Sequence, residues 1–369
     1  MKRIAHLTSA HPRYDVRIFF KQCRTLVEND YDVSLVVADN EGNALHHGVR
    51  IVDVGRVQGR LHRIFRTTRR VLRAAIAIDA DVYHLHDPEL IPAGLHLKRL
   101  GKKVIFDAHE DVPKQLLGKP YLNMASKHAL SSVFSMYERY ACPRFDGIIA
   151  ATPFIRNKFA AMACRTIDIN NFPISEELGN ELPWSARMRE VCYIGAIGAS
   201  RGIREIVNAC DMLGSDARLN LGGVFHDDKL EGEVKAYAGW RRVNAMGHLD
   251  RAGVRQLLGR SMAGLVTLHP LVNYLDALPV KMFEYMAAGI PVIASDFPVW
   301  REIIDANDCG LCVDPRNCRE IAAAIDYLVN NPQIAHRLGE NGRRAVLATY
   351  NWRQQAGKLI DFYEGITHV

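Results

Sequence analysis

Residues 190–202 read EVCYIGAIGASRG, five strand-forming residues, a glycine turn and the start of a helix. A short apolar run that stops at glycine and passes into a helical pattern is the repeating unit of a parallel sheet. Strands buried on both faces need no polar alternation. The unit recurs on either side. Downstream, the pattern predicts helices over 202–212, near 228–237, over 250–259 and over 280–288, with strands at 217–222, 242–246, 262–267, 291–295 and 309–313 and helices from about 316 to 366. Upstream it predicts strands at 3–8, 32–38, 49–53, 81–85, 102–106 and 146–150. Helical patterns lie between them, from Val16 and near 60–78, 88–98, 123–142 and 152–162. The polar, proline-punctuated stretch from Asn170 to about Trp184 reads as a linker. The rhythm specifies an α/β chain of two Rossmann-like, doubly wound parallel-sheet domains facing across a cleft, 1–170 and 171–349, with ligands expected at the carboxyl ends of the strands.

Composition narrows the class. The chain has 369 residues, 48% hydrophobic and 24% charged, which excludes disordered, collagen-like and disulfide-scaffold proteins. No apolar run reaches the roughly 20 residues that cross a bilayer. The start, MKRIAHLTSA, lacks the apolar core of a signal peptide, so a cytoplasmic protein is expected. Eight cysteines follow no framework; Cys309 and Cys312 form one CxxC with only Cys318 near, and buried free thiols are expected rather than zinc. The net charge of +6 is concentrated in residues 56–73, which hold seven Arg and no acid, and the rest of the chain carries −1. That distribution argues against nucleic acid as a partner. Leu61, Ile64, Phe65, Val71 and Leu72, spaced among those arginines, make a basic amphipathic helix suited to an anionic membrane surface; the alternative is a solvated helix face.

Several places carry chemistry. Residues 195–202, GAIGASRG, put backbone amides and the Arg201 guanidinium at a helix N-terminus, which suits a phosphate; the alternative is a tight turn closed by glycine. The loop is neither GxGxxG nor GxxxxGK[ST], which weighs against dehydrogenases and P-loop NTPases. Residues 273–296, NYLDALPVKMFEYMAAGIPVIASD, place Glu284 in an apolar helix ahead of a buried strand. A carboxylate there needs donors, supplied by a ribose diol or by a neighbouring loop that it caps. His84 and His86 end one strand, and His109 and Glu110 follow another, leaving a ligand contact, a structural role and a metal site open. Asp15 is placed to cap the helix that follows it, with an acceptor or phosphate contact through Arg17 as the functional alternative. Asp79-Ala80-Asp81 imitates a metal-binding DxD but stands at the wrong end of its strand.

Residues 279–303, PVKMFEYMAAGIPVIASDFPVWREI, resemble the signature of retaining glycosyltransferases of the GT-B fold, family 4, also called group 1. YIGAIGASRGI, NAMGHLD, CGLCVDP and the terminal YNWRQQAGKLIDFYEGI fit the same pattern. HLTSAHPRYDVRIFFKQCRTL, DVYHLHDPEL and KKVIFDAHEDVP are similar to bacterial members acting in surface-polysaccharide assembly. The resemblance implies a metal-independent, retaining transfer of a sugar from a nucleotide-diphosphate donor to a hydroxyl, with no cofactor. The first domain would receive the acceptor and the second the donor, and a terminal helix, about 350–369, would return to the first domain. Glu284 falls on the position that holds the ribose. Asp276 falls where the family has Glu, so the amides of Ala277 and Leu278 become the expected donor-sugar contacts. The family's two diphosphate cations read Ala196 and Arg201, leaving Arg201. Gly195 and Gly247 complete the donor set, and His109 stands beside the donor sugar, so His109 and Arg201 are the expected catalytic pair. Apart from the resemblance, the turn after the first strand makes Asp15 and Arg17 the candidate acceptor contacts, and the basic helix within 56–73 points to a lipid-linked glycan at the inner face of the plasma membrane as the acceptor. The rivals are a sugar-nucleotide epimerase or phosphorylase of the same architecture and a two-lobed sugar-binding protein.

Overall fold

The computed structural model describes residues 1–56, 59, 63–119, 123–178 and 183–367. The chain divides into two compact units, Met1–Asn171 with Arg353–Val369, and Phe172–Trp352. In the first unit the strands are β1 (Arg3–Leu7), β2 (Asp32–Val37), β3 (Ala44–His46), β4 (Val49–Asp53), β5 (Val82–Leu85), β6 (Lys103–Ala108), β7 (Gly147–Ala150) and β8 (Thr166–Asp168). They form one sheet in the order β3-β4-β2-β1-β5-β6-β7-β8, parallel throughout except for the β3–β4 hairpin. The central strands are the continuous apolar runs of the sequence, and Ile4, Val36, Leu85, Val104 and Ile148 are fully buried. The two strands not expected, β3 and β8, are three-residue edges, too short to show a period.

In the second unit β9 (Glu190–Ile194), β10 (Arg218–Gly222), β11 (Val243–Gly247), β12 (Ala263–Val266), β13 (Val292–Ser295) and β14 (Gly310–Val313) make an all-parallel sheet in the order β11-β10-β9-β12-β13-β14. Adjacent parallel strands need a crossover, and β13 and β14 obtain theirs from the helix Pro298–Asn307. That helix is absent from the periodicity reading; its signals are Pro298 in its first turn and Trp300 and Ile304, four apart and both buried. Residues 170–184 are less of a free linker than their composition suggests, because Phe172 and Leu178 are buried in the apolar core of the second unit. Residues 179–182 of that stretch lie outside the described residues.

Two local packings position the site. Gly264 on β12 lies under the ring of Tyr285, where an added Cβ would come within 2.3 Å. The helix Val280–Ala287 therefore seats close to the sheet. The Tyr285 hydroxyl accepts the Ile194 amide at 3.1 Å, tying that helix to the end of β9. In the first unit the arginine-rich segment becomes the helix Thr68–Ile78 after a widened turn over Arg63–Thr67; residues 57, 58 and 60–62 lie outside the described residues. Val71 and Ala75 are buried in the core and Leu72 packs against it. Val71 and Leu72, from the apolar side expected to meet a membrane, thus meet the core instead, while Phe65, Arg66, Arg69, Arg70 and Arg73 stay exposed.

Candidate active site

The carboxyl ends of β9, β10 and β12 are drawn together in the second unit. The Gly195 amide donates to the Gly222 carbonyl at 2.9 Å and the Gly223 amide to that of Gly247 at 2.7 Å. Gly202 (φ +76°) comes so near Thr267 that a Cβ would lie 2.2 Å from its carbonyl oxygen. Only glycine fits that left-handed, close approach. Gly202 also caps the helix Ile203–Asp211, whose N-terminus carries a positive end of the peptide dipoles. Arg201, half-buried in the turn before it, has no ion-pair partner among the described residues and sits beside the Tyr193 phenol.

Glu284 and Lys281 lie three residues apart on the helix that Tyr285 fixes. The Glu284 carboxylate is largely sheltered and pairs with Arg251 Nη1 at 3.0 Å; Arg251 also reaches Glu177. The Lys281 Nζ is buried without a hydrogen-bond partner, 3.9 Å above the Tyr193 ring. Burial, and then the charge of Arg201, push its ammonium down to about 7, with Glu284 opposing. The loop before this helix bears on the expected Ala277 and Leu278 contacts. The Ala277 amide donates to Tyr274 O at 3.2 Å and its carbonyl accepts Trp300 Nε1 at 2.7 Å, so this peptide group is tied into the fold. The Leu278 amide has no acceptor among the described residues. Asp276 is half-buried in the same loop. Gly247 ends β11 with φ +66° and open space where a Cβ would be.

In the first unit, β1, β5 and β6 lie side by side and bring histidines together. His6 Nδ1 is 2.8 Å from His86 Nε2, and His84 Nδ1 is 2.7 Å from the Tyr363 hydroxyl. His109 Nε2 is 3.1 Å from Asp107. Burial drives His6 and His84 well below their usual titration and His86 down to about 3, so all three are neutral. Burial would raise the Asp107 carboxyl, but Arg17, then His109, hold it well below the carboxylate range. Among the described residues, His6/His84/His86 and His86/Asp107/His109 have ligand atoms within 4.8 Å of each other. His6 and His86 serve one another, as do His109 and Asp107, and His84 Nδ1 meets Tyr363, while His84 Nε2 is buried without a hydrogen-bond partner. Arg17 Nη2 and Nε occupy the two Asp107 oxygens at 2.7 and 3.0 Å, placing a fixed positive charge where a cation would bind.

This pairing also overturns the acceptor role expected of Arg17. Its guanidinium is buried, with the remaining nitrogen on the Ile169 carbonyl at 2.7 Å. Asp15 takes the capping role, accepting the Arg17 and Ile18 amides at 2.8 and 2.9 Å. Burial would raise its carboxyl, but His11 and the Ile18 amide hold it at about 2. An open, polar cavity of about 1290 Å³ lies in this unit, lined in part by His11, Asp39, Asn40, Glu41 and Arg56. Lys281, Arg251, Asp107 and His11 were not singled out in the sequence. Lys281 and Asp107 sit inside quoted motifs, and a buried-type charge in an apolar run was their signal.

The description "Glycosyl transferases group 1" matches residues 175–345, and "Glycosyltransferase Family 4" matches 16–168. Together they span most of the chain. The chain belongs to the group 1, family 4 glycosyltransferases. Among curated relatives of this chain is the GDP-mannose-dependent alpha-(1-6)-phosphatidylinositol monomannoside mannosyltransferase of Mycobacterium tuberculosis, 36% identical over 90 residues, 24% of this chain and 23% of that protein. The alpha-D-kanosaminyltransferase of Streptomyces kanamyceticus is 25% identical over 48% of this chain and 45% of its own. The matched regions thus span less than half of the length of each of these relatives. Sucrose-phosphate synthase from Thermosynechococcus elongatus superposes with a TM-score of 0.82 at 19% identity, covering 100% of both chains. Anabaena HepE in complex with UDP superposes with a TM-score of 0.72 at 13% identity, over 99% of this chain and 100% of its own. Both share the fold.

Proposed function

We propose that this chain transfers a hexosyl group, with retention and without a metal, from a nucleotide-diphosphate sugar to a hydroxyl of a lipid-linked glycan in surface-polysaccharide assembly. The observation that carries the reading is the grouping of Glu284, Arg201 and the Gly195 turn within one unit: a carboxylate for a ribose diol, an unpaired cation and an open glycine turn. Charge accumulates on the diphosphate oxygen as the sugar leaves. In this reading Arg201 and the N-terminus of Ile203–Asp211 stabilise it, a role a divalent ion fills elsewhere. In this reading His109, oriented by Asp107, contacts the reacting sugar. A front-face route, in which the leaving diphosphate assists the incoming hydroxyl, suits this set better than the carboxylate pair of a two-step hydrolase.

Names of relatives support the substrate classes. Structures of HepE were determined with UDP and UDP-glucose, and the phosphatidyl-myo-inositol mannosyltransferase of Mycobacterium leprae, 22% identical over 80% of this chain, is named for a lipid acceptor. No helix among the described residues is long and apolar enough to cross a membrane. Peripheral attachment to the inner face of the plasma membrane is supported by the exposed Arg66, Arg69, Arg70 and Arg73 and by the helix Met124–Ala141, which exposes Leu130, Val133, Met136 and Tyr140.

Thermal-shift screening with nucleoside diphosphates and nucleotide sugars tests the donor class, since a ligand of the folded state raises its melting temperature. A shift by free sugars and by no nucleotide would favour a sugar-binding protein. Conversion of the donor alone into an epimer or a sugar phosphate would favour an epimerase or phosphorylase. Transfer should persist in excess chelator; loss restored by magnesium or manganese would sink the metal-independent mechanism.

A further inference from the structure

Building on the donor site proposed above, the geometry points to Lys281 as a second cation that binds the diphosphate together with Arg201. Lysine carries three N–H donors and no acceptor, and a buried ammonium without a counter-ion is unfavourable in a folded protein. Yet the Lys281 Nζ is sealed from solvent with no hydrogen-bond partner, held only over the face of Tyr193. It points to the turn after β9: a Cβ built on Gly195 would lie 3.5 Å from it. Neither Gly195 nor Ala196 carries a side chain long enough to engage it. Its helix is anchored by Tyr285 to the end of β9, which holds the root of the side chain beside the turn. Arg201 lies on the same turn and repels it, which is unfavourable until an anion sits between them. Diphosphate carries enough negative charge for two cations, and the arrangement of two unpaired cations around one open glycine turn matches it.

The groups facing Lys281 are Arg201 from the turn, Cys192 and Tyr193 from β9, and Glu284 from its own helix. Burial holds Cys192 and Tyr193 up at about 12 each, so neither titrates near neutrality. The ammonium itself is pushed down to about 7, chiefly by burial and then by Arg201, and an arriving anion would restore it. Nucleoside diphosphate binding at pH 8 should therefore take up as much as one proton.

The test is isothermal titration of wild type and Lys281→Met with UDP and GDP, and with the matching monophosphates and nucleosides. Lys281→Met should lose tenfold or more on the diphosphate and less than threefold on the nucleoside, while its melting temperature holds or rises because an unpaired buried charge is gone. For wild type at pH 8, the binding enthalpy should vary with buffer ionisation enthalpy in the sense of proton uptake, a readout independent of the variant's stability. Equal losses on diphosphate and nucleoside would make Lys281 a packing residue and overturn the proposal. So would an unchanged diphosphate affinity, or the absence of proton uptake. If wild type binds none of these nucleotides, the donor reading itself fails, and this inference with it.

Discussion

Glu284 and Arg251 meet at 3.0 Å in the structure, and the pair shows how a single carboxylate is kept ready for a ligand. An apolar helix would leave that charge without donors; Arg251 supplies one set and leaves the second oxygen for a diol. Glu284→Gln preserves shape and removes the charge. Hydrogen bonds to a charged group contribute roughly 1.5–3 kcal/mol each, so nucleotide affinity should fall at least about tenfold in a folded variant. Titration calorimetry reads this directly, with Arg204→Ala as the control. Arg204 pairs with Glu233 on an exposed surface, where solvent screening leaves such a pair little weight. Equal affinity in Glu284→Gln would remove this residue from the nucleotide site. The role of Glu284 as a charge in need of donors was legible in the sequence. Its partner was not, because Arg251 is 33 residues away and joins it only through the sheet order.

Elements place these residues by close backbone approach. The helix Ile203–Asp211 starts where Gly202 passes the end of β12, with φ +76° and no room for a Cβ beside the Thr267 carbonyl. In Gly202→Ala, a left-handed non-glycine residue costs about 1–2 kcal/mol and the forced overlap about 1–3 more. Urea unfolding should register a loss in that range, and diphosphate affinity should fall with it because Arg201 adjoins the displaced residue. A midpoint within error of wild type would mean the loop relaxes freely and does not position Arg201. At this scale the periodicity located the long buried strands well, since a run buried on both faces is marked residue by residue. It missed β3, β8, the six-residue helix Val112–Leu117 and the longer helix Pro298–Asn307. The two strands are too short to show a period. The longer helix was overlooked although parallel β13 and β14 demand a crossover.

Across the molecule, the histidine cluster couples stability to pH. Unfolded, His6, His84 and His86 titrate near 6.5; folded, burial keeps them neutral, His86 down to about 3. The unfolded chain then binds protons that the folded one refuses. Stability should fall as pH drops below 6.5, by up to about 1.4 kcal/mol per pH unit for each imidazole. His11 acts the other way: burial would lower it, but Asp15 and Asp87 hold it above 6.5, so its contribution is present below 6.5 and lost as pH rises through its raised folded value. Three groups outweigh one, and urea midpoints should decline from pH 7 to pH 5. A level profile over that range would show that the cluster ionises in place. Membrane attachment is a second property of the whole chain. Each surface Arg adds about 1 kcal/mol toward anionic lipid. Co-sedimentation with anionic vesicles, release by salt and loss in the combined Arg66, Arg69, Arg70 and Arg73→Gln variant are expected. Indifference of wild type to anionic vesicles at low salt would leave the arginines as a solvated face.

The sequence by itself determined the alternation of strand and helix, the two series on either side of residue 170, and the presence of Glu284 and Arg201 beside strand ends. These are local properties: a buried face repeats at a fixed spacing, and a glycine turn after a strand is written in consecutive residues. Only the tertiary structure decided that Arg17 closes on Asp107 across 90 residues and that Lys281 stands unpaired over Tyr193. It also tied the Ala277 peptide to Tyr274 and Trp300. Periodicity reports which face of an element is buried; it carries no information on which strand lies next to which. In this chain the order β2-β1-β5-β6 sets His6, His84, His86 and Asp107 side by side, and β9 beside β10 and β12 assembles the glycine turn with its two cations.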